Sequence, residues 1–264
     1  VIKRTLMNAS WIFDTQRRPA HPVASALWLI LGFIALSAAC WMFLHDTATR
    51  WDSVWKYRRN FFEGWLLTIG LSIGALAGSS LLGLIAALAR RSPFLPLRAL
   101  ARLYIEIVRG SPFLVLILIG FYVILHQAGV ENRLFSGWIL LSVFTGAYVA
   151  EIIRAGIDGV AASQLESARA IGLTVPQTYR YVILPQAMRS ILPPLAGQFA
   201  SLIKDSSLLS IIGISELTFA AQQVASATYG TIEALLPLAP LYLILTLPVS
   251  LLSRFLEKRL HFDT

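Results

Sequence analysis

Six apolar runs separated by polar stretches set the pattern of this chain, at about residues 22–44, 62–89, 105–125, 134–155, 195–212 and 235–255. Each is near or above the roughly 20 residues that a helix needs to cross a bilayer. Backbone polar groups in lipid must be satisfied within the segment, so the pattern predicts an all-α polytopic membrane protein of about six transmembrane helices. In the second run Gly70, Gly74 and Gly78 recur at every fourth position. Such a stripe lets another helix approach closely where packing, not the hydrophobic effect, drives association.

The polar island between the fourth and fifth runs reads as a loop over 157–192 with two short helices. Ser163 and Glu166 have the spacing of a capping box, and Thr174 and Gln177 repeat it. Gly172 lies between them, where a left-handed turn costs least. Pro176 falls in a first helical turn, where its missing N–H is harmless, and Pro185 is expected to disturb or end the second helix. The prediction is a compact helix-turn-helix knob outside the lipid.

Composition agrees: the 264 residues are 56% hydrophobic and 14% charged, with mean hydropathy +0.69, too apolar for an ordinary soluble domain. The net charge of +8 does not indicate nucleic acid, because the basic residues punctuate the ends of apolar runs instead of clustering. Six spans put both termini on one side. Of the 22 Lys and Arg residues, 17 fall on the side of the termini and of residues 163–185, against 5 on the other. That side is therefore assigned to the cytoplasm. Arg50, Lys56, Arg58 and Arg59 run against the bias. With Trp51, Trp55 and Tyr57 they form an external segment at headgroup level. Residues 1–60 thus read as a cytoplasmic tail, first span and external amphipathic segment, and 61–264 as a core of about five spans. Residues 1–21 are basic and lack the short apolar core of a signal peptide.

No catalytic set emerges. His21, His45, His126 and His261 are far apart in sequence without metal-ligand spacing, and Cys40, the single cysteine, lies in the first apolar run. No Gly-Lys-Ser/Thr phosphate loop is present, so this chain is not expected to hydrolyse ATP. Two polar features remain. Glu106-x-x-Arg109 and Glu151-x-x-Arg154 share a pattern at helix ends, read either as ion pairs that orient the helices or as gate contacts. Lys204, Asp205, Ser206 and Ser207 interrupt the fifth run, and either pair with other helices or line a substrate path.

The island resembles the cytoplasmic coupling loop of permease subunits from bacterial ATP-binding-cassette importers, whose pattern runs Glu-Ala-Ala, three residues, Gly, nine residues, Ile-x-Leu-Pro. Glu166, Ala168, Gly172, Leu184 and Pro185 fall in register, with Ser167 in place of an Ala and Val182 in place of Ile. Tyr104 to Pro112, Gln177 to Gln186 and Leu202 to Leu208 resemble the polar-amino-acid branch, and the likeness covers roughly 61–260. It implies an inner-membrane subunit that imports polar amino acids by alternating access. It also implies partners: separate ATPase subunits that carry ATP and Mg, a second permease subunit, identical or related, and a periplasmic binding protein. A channel subunit, a secondary transporter and a non-transporting scaffold are the rival classes.

Overall fold

The computed structural model describes residues 51–260 together with Leu31, Gly32 and Ala35, which are helical. The other residues of the first apolar run, Cys40 among them, lie outside the described residues, as do His21, His45 and His261. The chain divides into two compact units, Val1–Thr49 and Arg50–Thr264. The second unit thus begins at Arg50 and includes the aromatic segment of Trp51, Trp55 and Tyr57.

That unit is helical throughout its described elements. In chain order these are α1 (Trp51–Trp55), α2 (Arg58–Arg90), α3 (Leu95–Gly110), α4 (Phe113–Ile119) with a π-turn over Gly120–Leu125, and α5 (Arg133–Asp158). After them come α6 (Ala162–Ala170), α7 (Val175–Thr178) with a π-turn over Tyr179–Ile183, and α8 (Leu184–Asp205), which tightens to a 3₁₀ segment at Ser206–Ile212. The last are α9 (Leu217–Thr228), α10 (Thr231–Leu235) and α11 (Leu238–Leu260). Among the described residues, three helical stretches, Arg58–Arg90, Arg133–Asp158 and Thr231–Leu260, are long and apolar enough to cross a membrane, and two bent pairs raise the number to as many as five.

The core lies between α2 and α5. Leu71 and Ala75 of α2 pack with Leu141, Phe144 and Ala147 of α5, and Phe113 of α4 stacks on Phe144 with centroids 4.1 Å apart. The glycine stripe serves this seam. A Cβ at Gly78 would lie 2.6 Å from the Ser142 hydroxyl, and one at Gly83 would lie 2.6 Å from the Val149 side chain and 2.9 Å from the Gly146 carbonyl oxygen. Gly70 has nothing within 4 Å, so it falls outside the contact although it shares the sequence spacing. Gly83→Ala should therefore force α2 and α5 apart at a cost of about 1–3 kcal/mol, whereas Gly70→Ala should leave stability unchanged. Thermal unfolding of the two variants in detergent measures the difference.

Two of the expected spans are bent. The run expected as one helix over 105–125 breaks between α3 and α4, whose continuation reaches Leu125, with a 113° change of direction. Pro112 is the reason: it bars Ser111 before it from the helical region, and Ser111 is extended (φ −110°, ψ 142°). The fifth run belongs to a longer rod from Val175 to Ile212 that bends 47° into α9. Pro185 does not end this rod. It follows the π-turn at Tyr179–Ile183, where the wider turn accommodates the carbonyl that its ring would crowd, and α8 continues for 22 residues. Pro193 and Pro194 lie inside α8, and the Ser253 hydroxyl of α11 donates to the Pro193 carbonyl at 2.9 Å.

Candidate functional site

The chain leaves α5 at Gly159 and re-enters a helix after three residues. In that short turn Ala161 takes the extended cap conformation (φ −58°, ψ 137°), so Ser163 is already inside α6 and the expected Ser163–Glu166 cap does not form. The far end of α6 is built as a Schellman turn. Gly172, at φ +78°, donates its N–H to the Arg169 carbonyl, and the Leu173 N–H donates to the Ala168 carbonyl, both at 3.0 Å. Gln177 then reaches back to accept from the Thr174 N–H at 2.8 Å, the second half of the expected motif.

This knob is fastened from below. Leu165 of α6 and the Ile183, Ala187, Ile191 row pack against Ile153, Ile157 and Val160 at the end of α5. Ala168 is 2% exposed and supplies the turn's carbonyl, so its role is packing. Glu166, Gly172, Leu184 and Pro185 are exposed. The outer face also carries Ile171, Val175 and Tyr181 at 76, 71 and 63% exposure, an apolar surface flanked by Arg169 and Arg180.

At the base of the knob the ends of α2, α3 and α5 bring charges together. Glu151 accepts from Arg90 Nη1 at 2.7 Å and from Arg154 Nε at 2.6 Å, and Arg109 Nη1 lies 3.7 Å away. Asp158 accepts from Arg154 Nη1 at 2.9 Å and from Arg91. Four guanidinium groups thus face two carboxylates. The Glu151–Arg154 pair forms within one helix turn, as its spacing suggests. Glu106 and Arg109 do not form the matching pair: α3 turns Arg109 over the Tyr148 ring, 5.6 Å from its centroid, and toward Glu151, while Glu106 is exposed. Arg90, Arg91 and Asp158 were not recognisable as members from sequence; their only signal is a charge at the end of an apolar run. A cleft of about 360 Å³ opens beside the cluster between α5 and α8, lined by Arg109, Tyr148, Glu151, Ser190, Pro194 and Gln198 among others.

Lys204 and Asp205 end α8, where Lys204 is exposed and Asp205 half-buried, and neither forms an ion pair with another helix among the described residues. Ser206 is fully buried and donates to the Ile203 carbonyl at 2.8 Å, while Ser207, half-buried, continues the 3₁₀ segment. A different polar group ties this part of the fold together. The buried Glu216 carboxylate caps α9, accepting from the Thr218 and Phe219 N–H groups at 2.9 and 2.8 Å and from the Tyr242 hydroxyl of α11 at 2.9 Å. Thr68 of α2 accepts from the Leu217 N–H at 3.1 Å. A lone Glu in an otherwise weakly charged stretch is the sequence signal for this node, because a buried carboxylate needs such partners.

Residues 79–262 match the family described as "Binding-protein-dependent transport system inner membrane component". The probable glutamine ABC transporter permease protein GlnM of Bacillus subtilis (strain 168) is 40% identical over 201 residues, covering 76% of this chain and 93% of the relative. The glutamine transport system permease protein GlnP of Escherichia coli (strain K12) is 34% identical over 213 residues, 80% of this chain and 97% of its own. Among solved structures, an amino acid ABC transporter determined with histidines aligns at TM-score 0.76 and 38% identity, over 81% of this chain and all of that one. The MetNI methionine ABC transporter in an inward-facing conformation shares the fold at TM-score 0.61 and 18% identity, over 79% of this chain and 98% of that one.

Proposed function

The chain belongs to the binding-protein-dependent transport system inner membrane components, and from that membership we propose that it is the membrane-spanning half of an ATP-driven importer for polar amino acids. The observation that carries the reading is the knob: a helix pair held by a Schellman turn, rooted in α5 and α8, with an apolar outer face left uncovered. Such a surface suits a groove on an ATPase subunit, and its rigid root would transmit a push into α5 and α8 as nucleotide closes the ATPase pair. ATP and Mg belong to those subunits. The excess of basic residues on the knob side supports a cytoplasmic position for it and for both termini. A second permease subunit completes the pathway, and a periplasmic binding protein delivers cargo from the other side.

The cleft beside the arginine cluster supports an amino acid as cargo. It offers a guanidinium, a carboxylate, an aromatic face and an amide within a volume suited to a small zwitterion. Lys204 and Asp205 are the second candidate for the path, because they find no pairing partner on another described helix. Coexpression with an ATPase subunit, purification, and uptake of labelled glutamine into proteoliposomes supplied with binding protein test the proposal. ATP-dependent accumulation with copurification of the ATPase is the expected result. Uptake driven by an ion gradient without ATP would assign the chain to secondary transport instead.

A further inference from the structure

Helix α3 has three separate faces. Ala101, Ile105 and Val108 are buried against the bundle. A second sector holds Arg98, Arg102 and Glu106 at successive fourth positions. The third exposes Leu100, Leu103 and Ile107, each more than half accessible, and Phe94 and Leu95 extend the apolar exposure at its start. The 113° bend that separates α3 from 113–125 turns it strongly away from the axis of that segment. If residues 113–125 run along the bilayer normal, α3 lies within about 25° of the membrane plane. Its position is fixed at the arginine end of the bundle, because Ile105 packs with Ala86 and Ala87, one turn before Arg90, and with Ala150, the residue before Glu151.

We propose that α3 is an interfacial helix that binds anionic phospholipid headgroups through Arg98 and Arg102 while Leu100, Leu103 and Ile107 enter the acyl boundary. Basic residues beside an exposed apolar sector are the pattern of a helix that lies in the headgroup layer instead of crossing it. The charge complements anionic lipid. Arg90, Arg91, Arg109 and Arg154 have carboxylate partners in the cluster, whereas Arg98 and Arg102 form no ion pair among the described residues, and Glu106 lies one turn from Arg102 without bonding to it. The inference uses the orientation proposed above only to name the leaflet, since the cytoplasmic leaflet is the anionic one.

Two measurements on the full-length chain test it without transport. The first is lipid retention by native mass spectrometry, titrating phosphatidylglycerol against phosphatidylcholine. The wild type should hold phosphatidylglycerol about tenfold more tightly than Arg98→Gln/Arg102→Gln, the Arg98→Lys/Arg102→Lys variant should keep most of the preference, and phosphatidylcholine binding should not change. The second is the depth of a nitroxide attached through Leu103→Cys in a Cys40→Ala background, in vesicles containing phosphatidylglycerol. A label at the boundary of headgroups and acyl chains supports the proposal. A label at the bilayer centre would make α3 a span, and equal retention of both lipids by wild type and variant would remove the headgroup contact. A label shielded only when an ATPase subunit is present, with no lipid preference, would assign the face to that protein. Failed uptake in the assay above would sink the importer reading and leave these outcomes unaffected.

Discussion

Replacing Gly172 with leucine is expected to lower uptake at least tenfold while the ATPase subunits continue to hydrolyse ATP. Nothing lies within 4 Å of a Cβ at this position, so the variant does not fail by crowding. It fails because φ is +78°, a conformation that costs a residue with a side chain about 1–2 kcal/mol. If the turn relaxes to avoid that cost, the bonds from Gly172 to Arg169 and from Leu173 to Ala168 break. The exposed face of Ile171, Val175 and Tyr181 then loses its fixed orientation. Gly172→Asn is the control, because asparagine tolerates the left-handed region better than most residues. It should retain most of the uptake. Parallel assays of uptake and ATP hydrolysis in proteoliposomes decide the matter: coupled transport by Gly172→Leu at wild-type rates would show that the turn's shape is not needed.

Glu151→Gln is expected to lower both the stability of the fold and uptake. The substitution leaves the guanidinium groups of Arg90, Arg91, Arg109 and Arg154 facing Asp158 alone. Removing one partner of a fully buried pair costs about 3–5 kcal/mol, and exposed pairs contribute about 0–1 kcal/mol. The Glu151 side chain is 18% exposed and Arg90 22%, so a loss of about 2 kcal/mol between these limits is expected. A second change, Arg90→Gln, should restore part of it by removing one of the repelling charges, since residues in one ionic network do not contribute additively. Thermal unfolding of both single variants and the double variant gives the coupling directly. Additive losses would mean that the two residues do not act as a pair. Because Glu151 also lines the cleft beside Tyr148 and Gln198, uptake should fall further than the yield of folded protein.

Hydropathy and local chemistry determined the helical membrane class, the positions of most apolar segments, and the glycine-centred turn of the knob. These are short-range properties: a run of apolar residues must be helical in lipid, and a Gly with helix signals on both sides needs no distant partner to turn. The same local view misplaced the first cap of the knob, since Ser163 has the right spacing but the short connection from α5 gives the cap conformation to Ala161. It also joined α3 to α4, because average hydropathy over residues 105–125 does not register the single extended residue before Pro112. What only the tertiary structure decided is which charges meet. Glu106 and Glu151 have the same local pattern, but the angle at which α3 crosses α5 delivers Arg109 to Glu151 and leaves Glu106 in the open. Arg90, about 60 residues away in sequence, completes the same site because the seam of Gly78 and Gly83 holds α2 close to α5. Spacing along one helix can specify a neighbour three or four residues away. The partners of a charge on another helix depend on packing angle and register, which no single segment encodes.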